Sequence, residues 1–103
     1  MVYLVLIWLN PGQAETLRAY ERLAVPIMRA HGGDLERVFQ PDGEQPADAP
    51  DEVHLLRFAD PGGLAGFRAD PALQAGAALR AAAVRAAQFL PLREWNVDDY
   101  LAG

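Results

Sequence analysis

The chain has 103 residues, a formal net charge of −5 and 51% apolar residues, enough for one domain with a real core and little room for a second. The acidic excess argues against a nucleic-acid backbone or an anionic membrane as the main partner. Cys, Ser and Lys are all missing, which removes disulfides, thiolate ligands, the commonest acyl-transfer nucleophile and Schiff-base chemistry. His31, His54, Thr16, the tyrosines and the carboxylates remain for proton or nucleophile work.

Val2 to Leu9 is apolar throughout, the pattern of a strand covered on both faces. The run is too short to span a bilayer and lacks a signal peptide's basic flank. No membrane association is therefore expected, and the expected location is the cytoplasm. Asn10 is placed as a helix cap with Pro11 at the first helical position. Leu17, Tyr20, Ala24, Ile27, Met28 and His31 share one face of that helix, with Arg18, Arg22 and Arg29 elsewhere. Pro26 should kink it, and Gly32-Gly33 ends it.

Asp34–Gln40 reads as a second, more polar strand. The stretch Pro41–Asp51 mixes Pro41, Pro46 and Pro50 with acids, and is expected to be a loop, mobile or a lid. Val53–Ala59 is the third strand. Asp60-Pro61 opens the next helix, Asp70-Pro71 restarts it, and the Ala-rich stretch to Ala87 continues it. Phe89–Trp95 is the fourth strand, demoted to an edge by Pro91. Residues 96–103 are expected to be an acidic tail after a single domain over residues 1–95, with Tyr100 and Leu101 able to dock.

A faint repeat supports this order. Trp8-Leu9-Asn10-Pro11-Gly12 returns as Phe58-Ala59-Asp60-Pro61-Gly62. The order β-α-β-β-α-β predicts an α+β fold, a ferredoxin-like βαββαβ sandwich: an antiparallel four-stranded sheet with helices on one face. Strands one and three should be central. The helices leave the other face open, yet the first strand is apolar on both. A second copy packed sheet to sheet, a homodimer, is the expected cover.

The residues Tyr20, Ala24, Pro26 and His31-Gly32-Gly33, then Val53 to Phe58 with Asp60, then Phe67-Arg68-Ala69-Asp70-Pro71, resemble the dimeric α+β barrel superfamily. The likeness spans residues 1–95. It is nearest to the short uncharacterised families of that group and more distant from its antibiotic-biosynthesis monooxygenases. Those cofactor-free enzymes use Asn, Trp and His in a pocket between sheet and helices. Trp8, Asn10 and His54 are present here in a different spacing, so the resemblance implies the fold and not the activity.

The repeat equates Trp8 with Phe58. Leu4, Leu6 and Trp8 are then expected beside His54, Leu56 and Phe58 under the helices. Tyr3, Val5, Ile7, Val53, Leu55 and Arg57 would face the partner. His54 is the candidate catalytic base, in an apolar pocket near a helix N-terminus; a core His bonded to backbone is the plainer reading. Trp8, Tyr20 and Arg57 are the candidate ligand-binding residues. Trp8 would form a wall, and Arg57 would hold a carboxylate or, more simply, pair with Glu36 or Glu94 at the dimer interface. His31 is assigned to the other end of the sheet, near Asp60, as a capping or ion-pair residue. Arg68, Arg80 and Arg85 are read as a solvated helix face. Gly62-Gly63 lacks the ending of a phosphate loop, and no ligand spacing suggests a metal, so no cofactor is expected. The functional expectation is a small apolar, aromatic or acidic ligand, with cofactor-free oxygenation or isomerisation if the protein is an enzyme. The competing expectation is a non-catalytic dimerisation or ligand-binding module whose His residues are structural.

Overall fold

The computed structural model describes residues 1–103. Its elements are β1 (Val2–Leu9), α1 (Ala14–Ala30), β2 (Gly33–Phe39), β3 (Glu52–Phe58), α2 (Pro61–Ala69), a 3₁₀ segment (Pro71–Gly76), α3 (Ala77–Ala83), β4 (Val84–Leu92) and α4 (Val97–Ala102). The four strands lie in the order β2-β3-β1-β4, and all pairings are antiparallel. The apolar strands β1 and β3 are central, and Pro91 sits on an edge strand, where a missing ladder donor costs least.

Register decides which side chains meet the helices. Tyr3 pairs with Leu56, Val5 with His54 and Ile7 with Glu52. Paired residues share a face, so Tyr3, Val5 and Ile7 lie with Glu52, His54, Leu56 and Phe58. These β3 residues are all buried, as are Tyr3 and Ile7. Leu17, Ala24 and Met28 of α1 and Phe67 of α2 close over them. The β3 half of the face assignment therefore holds and the β1 half is reversed. Leu4, Leu6 and Trp8 are on the open face with Val53, Leu55 and Arg57.

The reversal has a local cause. In the second copy, Asp60 caps a helix that begins at once at Pro61, its side chain accepting from the Gly62 N–H at 3.0 Å. In the first copy Pro11-Gly12 makes a turn, with Gly12 at φ 74, and α1 starts only at Ala14. Asn10 does not cap it; its side-chain amide donates to the Ala82 carbonyl at 2.9 Å. The two motifs match in sequence and not in phase.

The α1 helix runs through Pro26 and ends at Ala30, just before Gly32-Gly33. Later boundaries move. The Ala-rich segment stops being helical at Ala83, and β4 begins at Val84 rather than Phe89. Ala86 and Ala87 pair with Trp8 and Ile7, so sheet pairing overrides helix propensity there. The tail is not featureless: Asn96 caps α4, accepting from the Asp99 N–H at 3.2 Å, and Trp95 meets Tyr100 edge-on at 5.9 Å.

The segment between β2 and β3 has no helix or strand, but it is tied down. The Asp51 carboxylate accepts from Leu9 N–H at 2.7 Å, the Asp51 N–H donates to the Ile7 carbonyl at 2.8 Å, and the Trp8 indole donates to the Asp48 carbonyl at 2.9 Å. These contacts fix its C-terminal half to the end of β1.

Candidate functional site

Alternation along β3 places Glu52 and His54 side by side on the helix face, both buried. The His54 Nε2 lies 2.7 Å from Glu52 Oε1. With a carboxylate as acceptor, this nitrogen carries the proton. The other ring nitrogen, Nδ1, is turned toward Glu21 of α1, 3.7 Å from its Oε1. Gln40 reaches the second Glu52 oxygen at 3.4 Å. Burial pushes the Glu21 carboxyl above the ordinary carboxylate range, against the pull of His54 and Arg80. Burial likewise raises the Tyr20 hydroxyl, with Glu21 adding to the effect. The result is a His held by one buried carboxylate and faced by a second whose pKa burial raises.

Two spaces adjoin this cluster, and Leu17, Glu21 and His54 line both. One is an open groove of about 650 Å³ between α1 and β2. The arginines at its rim are already engaged, Arg18 and Arg22 with Glu15 and Arg29 with Asp34. The other is an apolar cavity of about 280 Å³ between the helices and strands β1 and β4. Val5, Leu56, Phe67 and Phe89 form part of its wall, and Tyr20 lines it beside His54. The smaller space has the character of a ligand site: apolar walls with a few convergent polar groups.

Of the residues singled out in the sequence, His54 and Tyr20 come together. Trp8 does not join them, because it lies on the opposite face with its indole bonded to Asp48. Arg57 is also on that face. Its Nε donates to Glu36 at 2.6 Å and its Nη1 to Glu94 at 3.0 Å, which pushes the guanidinium further up and leaves it no free fork for a ligand. Both expected partners are thus engaged at once. Arg85 is in β4 and not on a helix, and Arg68 and Arg80 line the cavity.

Glu52 and Glu21 escaped the sequence reading although a signal existed for each. Glu52 is two residues before His54, the strand spacing for one face. Glu21 falls between Leu17 and Ala24 on the stripe that continues to Met28.

His31 is the C-cap residue of α1. Its Nε2 is 2.8 Å from Asp70, and Asp60, the partner expected from sequence, is occupied in capping α2. The His31 ring, and then the Ala72 N–H, hold the Asp70 carboxyl below its usual range. A depressed carboxyl contributes stability above its unfolded value of 3.8 that is lost as pH falls through the folded one. Asp70→Asn keeps an acceptor for Ala72 and loses the charge. Urea denaturation should find it less stable than the parent at neutral pH, with the difference gone well below 3.8. An equal loss at both pH values would contradict this origin.

No protein-family model and no curated protein matches the chain. Solved structures do. The RPA0582 protein of Rhodopseudomonas palustris, a protein of unknown function, aligns in its methylated form with a TM-score of 0.78 at 23% identity, over 92% of this chain and 80% of that one. A NIPSNAP domain protein of Burkholderia xenovorans aligns with a TM-score of 0.65 at 19% identity, over 92% and 96%. A NIPSNAP family protein of Agrobacterium tumefaciens, also of unknown function, gives 0.65 at 18%, over 86% and 82%. At these identities the likeness is one of fold. The chain is a ferredoxin-like α+β protein with helices on one face of an antiparallel sheet.

Proposed function

We propose that this chain binds a small apolar, aromatic or acidic molecule in the cavity beneath its helices, and that His54 acts there as a base. The observation that carries this reading is the buried Glu52–His54 pair, in which His54 lines the cavity and Glu52 holds its ring from the side of the open groove. Glu52 fixes the ring and supports the charge that appears when Nδ1 takes a proton, the logic of an oriented base. A C–H or O–H proton would move to Nδ1. Glu21, 3.7 Å from that nitrogen, is the carboxyl placed to return one to a developing oxyanion. Cofactor-free isomerisation or oxygenation of the monooxygenase-like kind begins with the same abstraction.

Phenylpyruvate tests the proton transfer, since its benzylic C–H exchanges with D₂O and the loss is followed by proton NMR. The protein should accelerate exchange, and His54→Gln should lower that acceleration by roughly 10²–10⁴ while the fold is retained. Exchange no faster than in buffer, or unchanged in the variant, would favour the second reading. That reading is a non-catalytic module with structural His residues. One observation speaks for it: no buried side-chain polar atom lacks a partner.

The same proposal includes a homodimer through the open sheet face. Leu4, Leu6, Val53 and Leu55 form a contiguous apolar strip there, only partly covered in one chain, and a second copy would cover it. Light scattering should give twice the 11.2 kDa of one chain. Leu6→Asp should give the single-chain mass with the circular dichroism of a folded protein. A parent chain that remains single at micromolar concentration would refute the dimer. No helix is long and apolar enough to cross a membrane, and a cytoplasmic location fits this reading.

A further inference from the structure

We propose that Arg80 and Arg68 form the anion anchor of the cavity, and that its ligand is a small apolar monocarboxylate. This rests on the reading of the cavity as a ligand site and adds the chemistry of what it takes.

Both residues line the cavity, Arg80 from α3 and Arg68 from α2, and both are largely exposed. Neither forms a salt bridge, unlike Arg18, Arg22, Arg29 and Arg57, and of the unpaired arginines only these two line the cavity. The Arg68 guanidinium stacks at 4.3 Å over the ring of Phe89, which is itself part of the cavity wall. That stacking holds its fork at the mouth. Arg80 is near enough to Tyr20 and Glu21 for its charge to act on both. Glu21 is the acid a bound carboxylate would have to tolerate, and Arg80 acts on it from the same cavity wall.

The rest of the wall is apolar: Val5, Leu56, Leu73 and Phe67, among others. A cavity of roughly 150 Å³ takes one benzene, so about 280 Å³ suits a body of about ten to a dozen non-hydrogen atoms. A phenyl ring on a short alkyl chain has that size. Its carboxylate would meet the guanidinium forks at the mouth, and its chain would extend toward Nδ1 of His54.

Isothermal titration calorimetry of the full chain near neutral pH tests this with 4-phenylbutyrate and its uncharged amide. The acid should bind at least about tenfold tighter than the amide, the margin of one charge-assisted contact. In the double variant Arg68→Gln, Arg80→Gln that preference should vanish while amide binding stays, which also shows the cavity intact. Equal binding of acid and amide to the parent chain would overturn the anchor and leave the cavity standing. A preference that survives the double variant would overturn it too. Binding of neither compound would overturn the cavity reading itself, and the anchor with it.

Discussion

Phe58→Ala is expected to cost about 3–5 kcal/mol, at the upper end of large-to-small core changes. Phe58 is 1% exposed. Its ring meets Tyr3 edge-on at 6.0 Å and Phe67 at 6.3 Å. It also fills a slot that two glycines leave open: a Cβ at Gly33 would lie 2.3 Å from the ring, and one at Gly63 2.8 Å. Glycines have no side chain to swing into the space left behind, so collapse around the cavity is limited. Against a total stability of about 5–15 kcal/mol for a typical domain, the loss should be plain in urea denaturation. Trp8→Ala, at the position the repeat makes equivalent, should cost far less, because Trp8 is on the open face. Similar losses for the two variants would contradict the register described above.

Glu52→Ala should be the second large loss, about 3 kcal/mol, because it strands the buried Nε2–H of His54 without its acceptor. Glu52→Gln keeps an oxygen in the same place and should lose about 1 kcal/mol or less. The pair of variants separates two roles. If Glu52 only satisfies a buried donor, the Gln variant should exchange phenylpyruvate protons as fast as the parent. If Glu52 also supports charge on the ring, phenylpyruvate exchange should fall in the Gln variant while the fold and binding persist. A Glu52→Ala protein as stable as the parent would show that the buried pair contributes nothing.

The fold was legible because its signals were local and agreed with one another. Turn residues at Gly32-Gly33 and Asp60-Pro61 mark the β-α-β-β-α-β order, and the usual strand order of that sandwich, with Pro91 agreeing, puts the second and fourth strands at the edges; α4 in the tail is not marked. Phase was harder. A strand such as β1, apolar at every position, holds no alternation from which to read its faces, so its phase rested on the repeat alone. The repeat misled because Gly12 in a left-handed turn delays α1, whereas Asp60 starts α2 at once. The β4 boundary was hidden by Ala86 and Ala87, whose helical preference yields to pairing with β1. The site was half legible. His54 stood out as a polar residue in an apolar strand, and Tyr20 followed from the helix stripe. Glu52 falls in the gap between the expected loop, Pro41–Asp51, and the expected strand, Val53–Ala59, while Glu21 is an acid on an otherwise apolar helix stripe. Arg57 drew notice for the same reason as His54, but its partners Glu36 and Glu94 absorb it.

A small molecule is proposed to sit against Nδ1 of His54, inside the helix-covered face, and nitrogen-15 NMR of the His-labelled, methyl-labelled chain, titrated with 4-phenylbutyrate and its amide, decides whether it does. On saturation with whichever compound binds, the His54 Nδ1 resonance and the methyls of Val5 and Leu56 should shift, while His31 stays unchanged. Unchanged His54 resonances, with shifts confined to the Leu4 and Leu6 methyls of the open face, would contradict it.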